Sequence, residues 1–371
     1  MNKYIWERPM WPKMIWNSTD ILQPLGRVRQ LQGMVFAKAG LLGFDFLARQ
    51  LENEAIATAA IENTHLDRRG LRSSIARRLG METAGLGSPD RYADGLVQIL
   101  MDATENHTAH LTSSKLKSWQ AALFPTGYSG LQKIVVGEWR KGSSPMQVVS
   151  GPPDKETVHF EAPPANRLEA EMRSFLDWFN SSKDTMDGLV RAAQTHLYFV
   201  TIHPFEDGNG RIARAVADMA IAQDDRMEKR FFSISAQILS ERSEYYDVLE
   251  KMQKGNGDIT EWLVWFFACM QRALVSAMCE IERAGERAEL WLSLAEISLN
   301  SRQKKVINKL SDKGRGGFRG GLTNRKYRSM VKTSRETAKR DIADLLKKGV
   351  LQKNPGEGRS VNYSLIWPTH S

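Results

Sequence analysis

Twelve consecutive residues gather the groups that phosphate chemistry requires: His203, Pro204, Phe205, Glu206, Asp207, Gly208, Asn209, Gly210, Arg211, Ile212, Ala213 and Arg214. Gly208 and Gly210 permit positive φ angles, so successive N–H groups can converge on an anion. A helix starting directly afterwards would aim its positive end at the same point. Asn209 adds a neutral donor and Arg211 a charged one, and Arg214, three residues on, shares a helix face with Arg211. Asp207 is a hard oxygen ligand, and Mg²⁺ commonly takes one or two carboxylates together with nucleotide phosphates and water. His203 can accept a hydroxyl proton near neutral pH. Each residue alone has a structural explanation as a turn glycine, a helix-start carboxylate or a satisfied loop histidine. Together they describe a group-transfer site.

The surrounding pattern is mostly helical. Apolar residues recur at helical spacing over 41–60, 93–101, 167–179, 188–201, 210–223 and 259–283, so the twelve residues join two helices. The opening to about residue 22, rich in Trp and Pro, reads as an extended lead-in. Residues 127–164 change character, and 148–151 and 158–161 would pair as a hairpin across a Gly/Pro loop, the only clear hairpin before the tail.

The 203–214 segment matches without departure the His-Pro-Phe-x-(Asp/Glu)-Gly-Asn-Gly-Arg-x-x-Arg motif and so resembles the Fic family, over about 137–267. The resemblance implies a helical core that moves AMP from ATP to Ser, Thr or Tyr of a protein, with Mg²⁺ as cofactor. It implies His203 as the base, Asp207 as the metal ligand, and Gly208, Asn209, Gly210, Arg211 and Arg214 around the phosphates. Tyr245, Tyr246 and Gln253 fall where that family lines its adenine pocket. The hairpin resembles the family's flap, whose edge aligns a target segment by strand pairing, with Val148, Val149, Val158 and Phe160 as flap residues. Residues 58–63 resemble the (Ser/Thr)-x-x-x-Glu-(Gly/Asn) inhibitory motif, carried by Thr58, Glu62 and Asn63 on a helix of about 52–64. Thr58 and Glu62 are four apart and share a helix face.

From Ser301 onward there are 18 Lys or Arg against five Asp or Glu, a charge of +13, whereas the whole chain carries +9. That tail resembles a winged helix-turn-helix domain, with helices over 303–310, 324–332 and 334–348, the last opened by a capping box from Thr333 to Glu336, and a terminal hairpin as wing. Arg335, Thr337, Arg340 and Arg359 are its DNA-contact candidates. The expected fold class is thus mainly α: residues 1–110 carry the inhibitory helix, 111–290 the catalytic core with its hairpin flap, and 301–371 the winged helix.

No segment approaches the uninterrupted apolar length of a membrane span, and no membrane partner is expected. The first residues lack the pattern of a secretory signal, and Cys269 and Cys279 lack metal or redox spacing, so both thiols are expected to be buried or inert in a reducing cytoplasm. Expected partners are ATP, a protein bearing the hydroxyl, and DNA at the tail, with a homodimer open. Two other readings stay open: a DNA-binding regulator with a nucleotide-sensing core, and an enzyme of this fold that transfers another group or removes AMP.

Overall fold

Helical spacing of apolar residues produces fourteen α-helices among the described residues of the computed structural model, which are 3–39, 43–82, 87–88, 90–152, 155–312, 314–315, 318–355 and 361–368. In chain order these are α1 (Ser18–Ala39), α2 (Phe44–Ile61), α3 (Arg68–Arg78), α4 (Arg91–Glu105) and α5 (Ser113–Leu123). Two hairpins follow, β1 (Tyr128–Ser129) with β2 (Gln132–Lys133), then β3 (Gln147–Ser150) with β4 (Thr157–Glu161). Next come α6 (Leu168–Ser181), α7 (Gly188–Ile202), α8 (Asn209–Asp225), α9 (Ile234–Ser240), α10 (Arg242–Gln253) and α11 (Thr260–Ser293). The tail holds α12 (Ser301–Ser311), α13 (Asn324–Val331), α14 (Arg335–Lys347), β5 (Leu351–Lys353) and β6 (Tyr363–Leu365).

The chain divides into two units, Met1–Ala277 and Met278–Ser371. At the centre of the first lies α7, started by Asp187, whose carboxylate accepts from the Leu189 and Val190 N–H groups, and buried at every residue. It packs along α8, closely enough at Gly188 that a Cβ there would lie 2.2 Å from Asp224. α2 packs on α8 and α9, and α4 on α8, so no structural division falls at residue 110.

The Trp-rich lead-in is bound to the same core. The Trp6 indole donates to the Glu161 carbonyl (2.7 Å), Trp11 to the Glu171 carboxylate (2.8 Å), and Ile15 exchanges backbone hydrogen bonds with Gly257 and Ile259. Its helical continuation begins at Ser18, and α1 accommodates Pro24 inside it. The β1–β2 hairpin is not legible in the sequence, because two-residue strands leave too little alternation to detect.

Helix α11 is long and apolar enough to cross a membrane by length and composition, contrary to the sequence expectation. Trp262, Leu263, Phe266 and Phe267 on it are fully or almost fully buried, which makes it a core helix of this molecule. Cys269 on it is buried, and burial pushes its thiol pKa up, whereas Cys279 is exposed.

The second unit buries Val306, Ile307, Leu310, Tyr327, Ala338, Ile342 and Leu345 from its helices against Leu351 and Leu365 of the antiparallel β5–β6 pair. Leu322 forms an isolated antiparallel bridge with Tyr363, and Leu290 and Leu294 complete this core, so the unit starts before Ser301. The expected capping box from Thr333 to Glu336 does not form. Ser334, not Thr333, is the N-cap of α14, accepting from the Thr337 N–H at 3.1 Å.

Candidate active site

α7 ends because His203 adopts a left-handed conformation (φ 52°), with its N–H still donating to the Phe199 carbonyl. The turn projects the imidazole off the helix end. Nδ1 lies 3.2 Å from the Val200 carbonyl, which can only accept, so Nδ1 carries the proton and Nε2 presents a lone pair. Burial lowers the imidazole pKa to about 4, with the Arg140 charge adding to the effect and the Val200 carbonyl, Glu62 and Asp207 opposing it. The ring is therefore neutral over the whole physiological range, with its Nε2 lone pair free to accept a proton. A pH profile of kcat/KM is expected to keep its acidic limb near pH 4, where the neutral form disappears as pH falls, and well below the ordinary histidine value near 6.5. A limb near 6.5 would contradict a buried base.

Arg140, absent from the sequence reading, fixes this turn. Its Nε donates to the His203 carbonyl and its N–H to the Pro204 carbonyl, both at 2.8 Å, and Nη2 reaches the Pro163 carbonyl. Burial lowers its pKa to about 10, still cationic at neutrality. Phe205, beneath the loop, packs on Trp139 at 4.9 Å.

Asn209 braces the loop in this conformation. Its Oδ1 accepts from the Phe205 N–H (3.0 Å) and its Nδ2 donates to the Phe205 carbonyl (2.8 Å), so the expected free phosphate donor is engaged inside the turn. Of the two glycines, only Gly208 has positive φ (92°); Gly210 is helical. Gly210 is needed for a different reason: a Cβ there would lie 2.1 Å from Glu62 Oε1. Gly208 offers no side-chain cap to α8, so the positive end of this 17-residue helix faces the site, where the Glu62 carboxylate lies against its first turn.

Asp207 is a partly exposed carboxylate of the loop. Its Oδ1 accepts from the Gly208 N–H and from Arg211 (3.0 Å), and its Oδ2 from the Ser129 hydroxyl of β1. Among the described residues no group of three or more His, Cys, Asp or Glu could hold a metal ion. A cation here would therefore rest on one carboxylate and on oxygens brought by a ligand, which suits Mg²⁺ carried by a nucleotide.

The two arginines diverge. Arg211 donates to the Tyr92 hydroxyl (2.5 Å) and lies over the Phe124 ring at 5.1 Å, two partners invisible to local sequence reading. Arg214 donates from Nε to the Thr58 hydroxyl (2.7 Å), and from Nη2 to the Thr58 carbonyl (3.0 Å) and to Glu62 Oε1 (2.7 Å). Burial would lower its pKa, but Glu62 carries it above the ordinary value. Arg211 Nε and Arg214 Nη1 are buried donors without an acceptor among the described residues.

Glu62 reaches this point because α2 stops there. Asn63 takes a left-handed conformation (φ 55°), its N–H donating to the Ala60 carbonyl while the Thr64 N–H donates to Ala59. That pair is a Schellman ending, and it gives Asn63 its role as the left-handed cap. Arg242 Nε (2.8 Å) and the Tyr246 hydroxyl (3.2 Å) both donate to the Ile61 carbonyl, holding the helix end from α10.

A cavity of about 800 Å³ opens beside His203, Gly210 and Glu62, between the β3–β4 hairpin and α10. Tyr246 lines it partly exposed, while Tyr245 is almost fully buried with its hydroxyl 3.2 Å from His196 Nε2. Gln253 donates to the Val200 carbonyl at 3.4 Å, the same carbonyl that meets His203. In the hairpin, Val148 pairs with Phe160 and Val149 with Val158, a bulge intervening. Val149 is exposed, but Phe160 is buried against the Tyr4 ring at 5.2 Å, so it anchors the hairpin. Of the tail candidates, Arg335 and Arg340 are exposed, Thr337 is held by the Ser334 hydroxyl (2.9 Å), and Arg359 lies outside the described residues.

Residues 110–221 match the model of the Fic/DOC family, and residues 4–81 match a domain of unknown function, DUF4172. A protein adenylyltransferase Fic of Nematostella vectensis is 32% identical over 119 residues, 32% of this chain and 26% of that protein. A uridine 5′-monophosphate transferase of Xanthomonas campestris is 33% identical over 79 residues, 20% of this chain and 15% of that protein. The chain thus spans about a quarter or less of these relatives. A Fic family protein from Desulfovibrio desulfuricans superposes with a TM-score of 0.54 at 18% identity, covering 97% of this chain and 100% of that one. A Fic domain containing signaling protein from Bacteroides thetaiotaomicron gives 0.50 at 21% identity, covering 71% of this chain and 98% of that one. The helical core, its 203–214 loop and these matches agree, and the chain carries a Fic/DOC family domain behind an N-terminal DUF4172 domain.

Proposed function

We propose that this chain transfers AMP from ATP to a Ser, Thr or Tyr hydroxyl of a protein, and that Glu62 holds it in check. The observation that carries the reading is the N-terminal end of α8, which has no side-chain cap at Gly208, with Arg214 Nη1 beside Gly210 lacking an acceptor among the described residues and with the free Nε2 of His203 on the same loop. These donors suit an anion with several oxygens. His203 takes the proton of the target hydroxyl as its oxygen bonds to the α-phosphorus and pyrophosphate departs. Asp207 would hold Mg²⁺, which neutralises phosphate charge when bound. The cavity edged by Tyr246 and Gln253 takes the base, and the β3 edge aligns the target segment. The Met278–Ser371 unit is read as a winged helix-turn-helix domain.

The relative named as a uridine 5′-monophosphate transferase supports a second reading, in which UMP is the transferred group. Incubating the protein with a cell lysate and either labelled ATP or labelled UTP separates the two: protein-bound label from ATP is expected. Label from UTP alone selects the second reading, and label from neither rejects both. Asp207→Ala is expected to weaken Mg-dependent ATP binding by about tenfold or more, as for removal of one charge-assisted interaction. Equal affinities by calorimetry would remove Asp207 from the metal site.

A further inference from the structure

We infer that Ser150 of the hairpin is a nucleophile, activated by His159 and Glu250, that takes AMP from ATP held in the cavity it lines. The inference rests on the proposed AMP transfer and gives it an acceptor within this chain. The Ser150 hydroxyl lies 2.6 Å from His159 Nε2, and His159 Nδ1 lies 2.6 Å from the Glu250 carboxylate. Burial would raise the Glu250 pKa, but the Lys254 ammonium and His159 hold it below the ordinary value, so the group is ionised at neutrality. An ionised carboxylate only accepts, so Nδ1 carries the proton and donates to Glu250, and Nε2 accepts from the Ser150 hydroxyl. A hydroxyl set on a base that a third group orients is the arrangement that makes serine nucleophilic.

The hairpin is built to present this ring. Ser150 pairs with Thr157 and Val149 with Val158, but the next pair is Val148 with Phe160. His159 is thus the extra residue of the bulge, without a register partner of its own, and bulges commonly re-aim one side chain beside a site. α10 brings Glu250 from 91 residues away, on the helix that also carries Tyr246 and Gln253. Ser150, His159 and Glu250 line the same cavity of about 800 Å³ as His203 and Gly210. His203 serves a hydroxyl that must arrive from outside, whereas His159 already holds one. In the step, Ser150 Oγ bonds to the α-phosphorus while His159 Nε2 takes its proton, and the Glu250 carboxylate faces the imidazolium that forms. The bond from the α-phosphorus to the bridging oxygen breaks, and pyrophosphate leaves.

The test incubates the full chain, and its Glu62→Gly variant, with labelled ATP and Mg²⁺ and maps the label by peptide mass spectrometry; a parallel reaction with lysate scores transfer to other proteins. Label on Ser150 is expected, at a rate per molecule that does not depend on protein concentration. Label on lysate proteins with none on Ser150 overturns the inference and leaves the transfer reading standing, and label on neither overturns both. A rate per molecule that rises with concentration would make Ser150 the target of a second copy and overturn the relay within one chain. His159→Gln, placed in the Glu62→Gly chain, should lower Ser150 labelling about 100-fold relative to lysate labelling, as loss of a positioned general base does. An equal fall in both would reduce His159 to a support of the hairpin and overturn its role as the base.

Discussion

Replacing His203 by asparagine is expected to lower the transfer rate by about 10²–10⁴-fold, the usual contribution of a positioned general base, while leaving ATP affinity close to wild type. Asparagine is the informative substitute because position 203 is left-handed, a conformation Asn tolerates and Ala resists. Its amide can still donate toward the Val200 carbonyl but has no basic lone pair at the Nε2 position. Arg140 holds the His203 and Pro204 carbonyls, which belong to the backbone, so its grip survives the change. Single-turnover labelling and nucleotide titration on the same preparation separate chemistry from binding. Labelling at the wild-type rate would remove His203 from the mechanism. A parallel loss of ATP affinity would show instead that the ring shapes the nucleotide site.

The 203–214 loop is legible in the sequence because its causes are local. The 203–214 segment joins two helices as its glycines and flanking apolar periods require, and Glu62 meets Arg214 as their helix positions allow. Partners distant in sequence leave no such mark. Arg140 lies 63 residues from His203 and Tyr92 lies 119 from Arg211, and nothing around either signals the pairing. Two local features also change meaning once packing is known. Gly210 is required by the close approach of Glu62 and not by its φ, and Asn209 holds the turn with an amide that its type and spacing alone would offer to phosphate. Phe160 shows the same limit: its alternation marks a strand, but its packing on Tyr4, far away in the chain, reveals which face is anchored.

Glu62→Gly is expected to raise the transfer rate by about 100-fold, with a much smaller change in ATP affinity. Glu62 Oε1 sits 2.7 Å from Arg214 Nη2 and 2.1 Å from where a Gly210 Cβ would stand, so its charge lies at the positive end of α8, where a phosphate would be drawn. On the proposed reading a nucleotide would enter beside it only with its outer phosphates displaced, and misplacing reacting groups by about 1 Å costs on the order of 100-fold. Removing the carboxylate leaves Arg214 held by Thr58 through Nε and the Thr58 carbonyl, still oriented but with Nη1 and part of Nη2 free for phosphate oxygens. Glycine is also compatible with the backbone, since position 62 closes α2 next to left-handed Asn63. Glu62→Gln should give a smaller gain, because its amide keeps the volume and loses the charge. Glu62→Gly combined with Arg214→Ala should lose most of the gain, since the freed arginine is its source. A single variant no faster than wild type across a range of ATP concentrations would reduce the Glu62–Arg214 pair to a structural role. A gain that survives Arg214→Ala would place the restraint on the α8 end itself.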